Sequence, residues 1–237
     1  EHLVRRALAA GYRTLVLTVD VAVNGKRERD MRSGFGVPFR YSARTVLDAA
    51  LHPLWSLRQV KHGLPQLANF AQPGTGDFNA QAALMRRQMD ASFAWDDLNA
   101  LRDAWPHILL VKGIMNADDA ERCVQLGANG VILSNHGGRQ LEDAQAPLEV
   151  LPAVAARVQA PLLLDSGVRR GADAVKALAM GAKAVLLGRA VLYGLAARGE
   201  EGASHVLEIL AAELDTTLAL LGCPEAARLG PGHIVKG

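Results

Sequence analysis

The stretches Gly130-Val-Ile-Leu-Ser-Asn135 and Pro161-Leu-Leu-Leu-Asp-Ser166 decide the fold of this 237-residue chain. Each is a short apolar run that ends in polar residues, which is typical of a strand buried on both faces of a parallel sheet. Three further runs have the same form: Thr14-Leu-Val-Leu-Thr-Val-Asp20, His107-Ile-Leu-Leu-Val-Lys112 and Ala184-Val-Leu-Leu-Gly-Arg189. We therefore predict five buried strands.

Helical stretches separate the last four of these runs, at residues 116–126, 147–157 and 170–180. Asn116 is a favourable N-cap and Pro147 a favourable first residue, while Gly127 and Gly181 follow the first and third stretches as helix stops. Strands that alternate with helices over short loops form βαβ crossovers, which produce a parallel sheet. The predicted fold class is therefore α/β.

An open doubly wound sheet and a TIM (β/α)8 barrel both have this pattern, and both carry functional groups at the carboxyl ends of their strands. The pair Gly188-Arg189 favours the barrel, because barrels commonly bind a phosphate with the loops after strands 7 and 8. Five strands do not close a barrel, and the chain opens without Met in an amphipathic pattern. We expect residues 1–237 to be one domain, the C-terminal part of a barrel (about strands 4 to 8), with three further strands upstream.

One segment, residues 35–93, interrupts the alternation after the first strand. It contains a helical stretch at 42–51, an amphipathic stretch at 53–62 and a break rich in Gly and Pro at 72–77. Such an excursion is usually a lid or a docking surface, and a solvated decoration is equally consistent with the pattern. A third interpretation, a membrane-surface role, rests on Leu51, Leu54, Trp55, Leu57 and Val60 beside Arg58, Lys61 and His62.

The composition excludes several classes of protein. Lys and Arg number 26 against 24 Asp and Glu, and no long basic run is present, so we expect no nucleic-acid partner. Cys123 and Cys223 lack the spacing of metal ligands, which predicts two buried thiols in a reducing compartment, with no disulfide and no metal. No apolar stretch is long enough to span a bilayer or to act as a secretory signal, so we expect a cytoplasmic protein.

Two clusters of polar residues at predicted strand ends carry chemistry. The turn Ser134-Asn-His-Gly-Gly-Arg-Gln140 places His136 three residues from Arg139, and this pair is typical of a base beside an anchor for an acidic substrate. The turn Asp165-Ser-Gly-Val-Arg-Arg-Gly171 and the pair Gly188-Arg189 indicate a grip for a phosphate dianion. Lys112 is consistent either with a Schiff-base lysine or with a cation beside an electron-rich cofactor ring.

In their order along the chain, these motifs resemble the FMN-dependent α-hydroxy acid dehydrogenase family. The resemblance covers essentially the whole chain and is carried by Leu17–Asp20, Gly25–Asp30, Leu110–Gly113, Ser134–Leu141, Asp165–Gly171 and Leu187–Arg189. Within the family, Leu51–Leu57, Met89–Phe93 and a serine at position 166 are most similar to the mandelate-oxidising branch. In that branch the insertion associates with the membrane, which implies the same for about residues 39–77 and a location on the inner face of the cell membrane.

The resemblance implies a role for each site residue. His136 takes the proton of the 2-hydroxy acid, Asp20 orients its imidazole, and Arg27 and Arg139 bind the substrate carboxylate. The cofactor is FMN, with Lys112 beside the flavin ring, Thr18 and Ser134 hydrogen-bonded to the ring, Asp165 on the ribityl hydroxyls, and Gly167, Arg169, Gly188 and Arg189 around the phosphate.

The predicted activity is oxidation of an (S)-2-hydroxy acid, with mandelate as the favoured substrate, to the 2-keto acid. Lactate dehydrogenase or glycolate oxidase activity is the alternative within the family. The electron acceptor is a quinone, a cytochrome or oxygen, and the resemblance implies a homotetramer. Outside the family, the alternatives are an isomerase, an aldolase that uses Lys112, and an inactive barrel fragment.

Overall fold

The computed structural model describes residues 2–23, 25, 28–34, 42–63, 69 and 91–235. The chain divides into two compact units. Residues 1–21 and 93–237 form the first, which we name the barrel unit, and residues 22–92 form the second, which we name the inserted unit.

Five parallel strands form one sheet in the barrel unit, and their spatial order is the same as their order along the chain. They are Thr14–Thr18 (β1), Ile108–Ile114 (β2), Gly130–Leu133 (β3), Leu162–Leu164 (β4) and Ala184–Val185 (β5). A doubly wound sheet reverses its strand order at a switch point, whereas a barrel keeps sequential order. The order of the described strands therefore agrees with the predicted barrel topology.

Nine α-helices occur among the described residues. They are His2–Ala9 (α1), Glu28–Ser33 (α2), Ala43–Leu51 (α3), Pro53–His62 (α4), Trp95–Ala104 (α5), Ala117–Gln125 (α6), Pro147–Ala155 (α7), Gly171–Ala179 (α8) and Arg189–Leu220 (α9). The predicted caps are confirmed: the side chain of Asn116 accepts the Asp119 N–H at 2.8 Å, and Pro147 opens α7. Because α9 is interrupted at Arg198 and Gly199, it consists of two helical segments.

The helix α5 is not among the predicted elements, although its start has a readable signal. Asp97 is three residues after Ala94, and its carboxylate accepts the Ala94 N–H at 2.7 Å. This bond satisfies one amide at the helix entrance, as a capping carboxylate does. Negative side chains in the first turn, Asp96 and Asp97, also interact favourably with the helix dipole.

The core of the barrel unit lies between the sheet and its helices. Trp105 is fully buried in it, and its indole Nε1–H donates to the Ile108 carbonyl at 2.8 Å. Leu109 and Val111 are also buried in this cluster, and because side chains alternate along a strand, Lys112 is directed to the other face of the sheet. The predicted burial of Cys123 and Cys223 is confirmed.

In the inserted unit, the two predicted helices are confirmed as α3 and α4. The Ser42 hydroxyl accepts the Thr45 N–H at 3.1 Å at the start of α3, and the Ser56 hydroxyl of α4 donates to the Ala49 carbonyl at 2.6 Å. Neither helix has a buried residue. The Gly- and Pro-rich break at 72–77 lies outside the described residues. Among the helices described, none is both long enough and apolar enough to cross a bilayer.

Candidate active site

Polar side chains from four neighbouring strands meet at one edge of the sheet in the barrel unit. Asp20 follows β1, Lys112 lies in β2, Ser134 and His136 follow β3, and Asp165 follows β4. The carboxyl ends of parallel strands lie at the same edge, which is where barrels carry their functional groups. The structure thus brings together five of the residues that the sequence assigns to catalysis or cofactor binding.

His136 and Asp20 form a hydrogen-bonded pair, with 3.1 Å between Nδ1 of the imidazole and Oδ1 of the carboxylate. The side chain of His136 is 32% exposed and that of Asp20 is 13% exposed. If Nδ1 carries the proton donated to Asp20, Nε2 is left as a proton acceptor. Among the described residues, the second carboxylate oxygen of Asp20 is buried without a hydrogen-bond partner. The arrangement suits a base whose charged form is stabilised by a carboxylate.

Gly113 allows β2 to approach Asp20 closely. Its φ is +104°, and a Cβ at this position would lie 2.7 Å from the Asp20 Cβ and 2.8 Å from the Asp20 backbone nitrogen. The residues before these two are hydrogen-bonded as well, since the Val19 N–H donates to the Lys112 carbonyl at 2.9 Å. Since any side chain at position 113 would collide with Asp20, the carboxylate reaches His136 only because this residue is glycine.

The turn that carries His136 is left-handed over three consecutive residues. The φ values of His136, Gly137 and Gly138 are 55°, 69° and 71°. This conformation costs roughly 1–2 kcal/mol for an L-residue such as His136, so it requires support from its surroundings. The Asn135 side chain supplies part of that support, because its Oδ1 accepts the N–H groups of both Gly137 and Gly138, at 3.0 Å and 3.2 Å.

Two hydroxyls and one guanidinium also form hydrogen bonds with the backbone of this turn. The Ser134 hydroxyl accepts the His136 N–H at 3.1 Å, and the Ser166 hydroxyl accepts the Gly137 N–H at 2.9 Å. Arg189 Nη2 donates to the Gly137 carbonyl at 2.6 Å. The position of His136 is thereby fixed by side chains that follow three different strands.

Lys112, Asp165 and Ser134 form a closed triangle beside this turn. Lys112 Nζ is 2.8 Å from the Asp165 carboxylate and 2.9 Å from the Ser134 hydroxyl, which donates to Asp165 at 2.9 Å. Burial opposes ionisation of Asp165, but the hydrogen bonds from Lys112 and Ser134 and the charge of Lys112 outweigh it, so the pKa of Asp165 lies below its ordinary value. The triangle therefore holds an ammonium and a carboxylate together at the site.

Ser134 is saturated by these contacts. A hydroxyl has one donor and two acceptor positions, and here it donates to Asp165 and accepts from Lys112 and the His136 N–H. Ser134 is also fully buried. A hydrogen bond from this hydroxyl to a flavin ring, which the family resemblance implies, would have to replace one of the three.

The two helices that follow β4 and β5 differ at their N-termini. At α8, the Asp173 carboxylate accepts the N–H groups of Arg169 and Arg170, both at 3.1 Å, and the Glu213 carboxylate accepts the Gly171 N–H at 2.8 Å. At α9, Gly188 is the N-cap and no side chain caps the helix. A phosphate is favoured at the uncapped end, because its charge would be repelled by the carboxylates at the other.

Three predicted site residues are less closely tied to this cluster. Thr18 is exposed at the end of β1, in register with Lys112. Arg139 follows the left-handed turn directly, in right-handed helical conformation, and is exposed. Arg27 lies outside the described residues.

Three residues that support the site were not predicted to do so: Gly113, Asn135 and Ser166. Asn135 had a signal, since an Asx residue before two glycines favours a side-chain-capped turn. The close contact of Gly113 and the left-handed backbone of Ser166, with φ at +78°, depend on neighbouring strands and have no local signature.

The residues at this site fit FMN both at its charged phosphate and at its polar flavin ring. A Cβ at Gly167 or at Gly188 would meet nothing within 4 Å, so a phosphate can approach the backbone at both positions. Arg189 is the first residue of the uncapped helix α9, and Lys112 supplies a second cation, bonded to the Ser134 hydroxyl. The described residues include no cluster of side chains suited to a metal ion.

Comparison with known protein families agrees with the residues found at this site. The family model of FMN-dependent dehydrogenases matches residues 1–236. The chain belongs to the FMN-dependent dehydrogenase family. The resemblance inferred from the motifs is thereby confirmed.

The similarity of the chain to individual proteins of the family differs from one protein to another. It is 60% identical over 234 residues to (S)-mandelate dehydrogenase of Pseudomonas putida, covering 99% of this chain and 60% of that protein. It is 40% identical to an L-lactate dehydrogenase of Chromohalobacter salexigens, covering 100% of this chain and 62% of that protein. A crystal structure described as the monotopic membrane protein (S)-mandelate dehydrogenase matches with a TM-score of 0.97 at 59% identity, over 100% of this chain and 63% of that one.

The chain spans about 60% of the length of these FMN-dependent dehydrogenases. The structural match confirms the TIM-barrel fold, of which the five described strands form a part. The similarity to (S)-mandelate dehydrogenase exceeds that to the lactate dehydrogenase, as predicted from the mandelate-branch motifs.

Proposed function

We propose that the protein that contains this chain oxidises an (S)-2-hydroxy acid to the 2-keto acid with bound FMN, and that its substrate is (S)-mandelate. The observation that carries the proposal is the His136–Asp20 pair beside the cation of Lys112 at the strand ends. The 60% identity to (S)-mandelate dehydrogenase supports the choice of substrate. L-lactate is the alternative, favoured by the 40% identity to a lactate dehydrogenase.

His136 would act as the base through Nε2. It would accept, as a proton, one of the two hydrogens that the substrate loses, while Nδ1 stays hydrogen-bonded to the Asp20 carboxylate. The imidazolium that forms is then stabilised by that carboxylate, as in a catalytic dyad. Arg139, which directly follows the turn, and Arg27 would bind the substrate carboxylate with their guanidinium groups.

The remaining residues would hold the cofactor. Arg189, Gly188, Gly167 and Arg169 would bind the phosphate, the first two at the uncapped N-terminus of α9. Asp165 would bind the ribityl chain, and Thr18, Lys112 and Ser134 would lie beside the ring. When bound, FMN would supply the acceptor for the two electrons and for the second hydrogen that leave the substrate.

The ion pair of Lys112 argues against an aldolase. A Schiff-base lysine must lose its proton before it can attack a carbonyl, whereas Lys112 is held 2.8 Å from the carboxylate of Asp165. An aldolase would also have no use for the strained His136 turn.

Anaerobic reduction of the full-length gene product tests the proposal. The purified protein should be yellow, and its flavin absorbance should bleach with (S)-mandelate but not with (R)-mandelate; L-lactate and glycolate complete the panel. Bleaching with L-lactate alone would move the substrate assignment to the alternative. A colourless protein that does not bind added FMN would refute the proposal.

We also propose that the inserted unit associates with a membrane surface. In α3 and α4, Leu51, Leu54, Trp55, Leu57 and Val60 are all more than half exposed, with Val60 at 84%. The last turn of α4 carries Lys61 and His62. Exposed apolar side chains beside basic ones are typical of helices that lie in the interface of an anionic bilayer. The similarity to a monotopic membrane protein supports this proposal.

Co-sedimentation with vesicles of phosphatidylglycerol and phosphatidylcholine tests this placement. The wild-type protein should pellet with the vesicles, and a variant with Leu54→Glu, Trp55→Glu and Val60→Glu should remain in the supernatant. Leu220→Glu is the control, because Leu220 is as exposed as Val60, at 84%, but lies in α9 of the barrel unit. Equal pelleting of all three proteins would refute the proposal.

A further inference from the structure

Two non-glycine residues in the described part of the chain have a left-handed backbone, and they are His136 and Ser166. Their φ values are 55° and 78°. Such residues are unfavourable unless the surrounding structure compensates, and they cluster at functional sites. Ser166 follows β4 directly after Asp165, in a position where glycine would satisfy the backbone without strain.

The hydroxyl of Ser166 makes a bond that glycine could not make. It accepts the N–H of Gly137 at 2.9 Å, and it lies 3.4 Å from the Ser134 hydroxyl. That N–H belongs to the peptide that follows the Cα of His136. A hydrogen bond to this N–H limits rotation about the His136 Cα–C bond, and it thereby fixes the direction in which the imidazole points from the turn.

The second strained residue therefore holds the first. The Ser166 hydroxyl, after β4, accepts the Gly137 N–H, and the Arg189 guanidinium, after β5, donates to the Gly137 carbonyl at 2.6 Å. Asn135 also accepts the Gly137 N–H, but it belongs to the turn itself and moves with it. Among these contacts, Ser166 and Arg189 are the ones that tie the turn to other strands.

We propose that Ser166 is a positioning residue, whose hydroxyl holds the turn of His136 in the geometry that proton transfer requires. This inference rests on the proposed function, because His136 is taken as the base. Ser166 is not proposed to touch the substrate, so its loss should lower the rate of the chemical step and leave substrate and FMN affinity largely intact.

Two substitutions separate the hydroxyl from the backbone strain. Ser166→Gly removes both the hydroxyl and the strain, whereas Ser166→Ala removes the hydroxyl and keeps the strain. In the full-length holoenzyme, both should reduce the flavin about tenfold more slowly in anaerobic stopped-flow with (S)-mandelate, since small displacements of a catalytic group are costly. The Kd for FMN and the KM should stay within about threefold of wild type. The melting temperature of Ser166→Gly should exceed that of Ser166→Ala.

A matched control removes a hydroxyl elsewhere in the barrel unit. Thr217 donates through Oγ1 to the Glu213 carbonyl at 2.7 Å within α9, and Thr217→Ala should keep the wild-type rate of flavin reduction. Wild-type rates in both Ser166 variants would overturn the proposal. A slow rate in Ser166→Ala alone would also overturn it, because backbone strain rather than loss of the hydroxyl would then explain the slow reduction. Slow reduction caused by loss of FMN would overturn it as well.

Hydrogen exchange provides a readout that does not depend on activity. The backbone amides of residues 134–141 should exchange faster in both Ser166 variants than in wild type and in Thr217→Ala. If the wild-type flavin is not reduced by any 2-hydroxy acid, the proposed function fails, and hydrogen exchange alone decides whether Ser166 holds the turn. Equal exchange in all four proteins would overturn the positioning role.

Discussion

Replacement of Gly113 by alanine should separate the His136–Asp20 pair. The added methyl group would lie 2.7 Å from the Asp20 Cβ and 2.8 Å from its backbone nitrogen, whereas ordinary van der Waals contact begins at 3.4 Å. The backbone of Asp20 must therefore retreat until the first distance grows from 2.7 Å to at least 3.4 Å. Since the hydrogen bond to His136 is 3.1 Å long, a displacement of this size breaks it or bends it severely.

The expected loss follows from the displacement. Misplacement of a catalytic group by about 1 Å costs up to 100-fold in rate, so flavin reduction by (S)-mandelate should slow by roughly 10- to 100-fold. The left-handed φ of +104° adds a stability cost of roughly 1–3 kcal/mol when the residue is no longer glycine. Bound FMN should remain, because Gly113 is not among the residues assigned to the cofactor.

Gly222→Ala is the control that separates strain from collision. Gly222 has a φ of +64°, and a Cβ there would meet nothing within 4 Å. Both variants should melt at lower temperature than wild type, but only Gly113→Ala should lose activity. Stopped-flow reduction and thermal unfolding of the two full-length proteins provide the comparison. If Gly113→Ala were as active as Gly222→Ala, the argument that close packing on Asp20 sustains the base would be wrong.

Three further outcomes are expected. His136→Gln should retain FMN and lose at least about 100-fold in turnover, because a general base contributes roughly 10²- to 10⁴-fold; unchanged rates would exclude His136 as the base. Asp165→Asn should lower the free energy of unfolding measured in urea by about 2 kcal/mol, since Lys112 loses its ionic partner. Because folding lowers the pKa of Asp165, the difference between variant and wild type should be complete above about pH 4 and should shrink as the pH falls below it. A difference that stays constant with pH would contradict the ion pair. Cys123, whose pKa is raised to about 11 by burial and then by the charge of Asp119, should resist iodoacetamide at pH 8 in the native protein and react only after unfolding.

The sequence predicts the positions of the strands and of the helices between them well, because both depend on local signals. The predicted burial on both faces is found in β3 but is wrong for β1, in which every residue is at least partly exposed. The runs that end at Lys112 and Asn135 have continuous apolar centres at residues 108–111 and 131–133, and Asn116 and Pro147 mark helix starts by their own chemistry. The residues gathered at the strand ends were also predictable, since parallel strands bring their carboxyl ends to one edge. What the sequence could not supply is the contact of a residue with a different strand.

Gly113 and Ser166 illustrate that limit. Nothing in the stretch Lys112-Gly-Ile shows that a Cβ would strike Asp20, which is 93 positions away in the chain. The saturation of the Ser134 hydroxyl is likewise a property of three strands together. The fold follows from apolar runs and helix caps, which are local in the sequence, whereas the orientation of the base depends on packing between strands.

Arg189 connects the two ends of the site through the turn of His136. Its guanidinium donates to the Gly137 carbonyl, and a Cβ at Gly137 would collide with the same group, so glycine is needed there both for the left-handed φ and for the approach of Arg189. The residue that is proposed to bind the phosphate thus also restrains the residue that is proposed to remove the proton. Because one side chain serves both ends, the geometry of the base is tied to the place where the cofactor is anchored, and the strain at His136 and Ser166 is compensated by contacts from β3, β4 and β5 together.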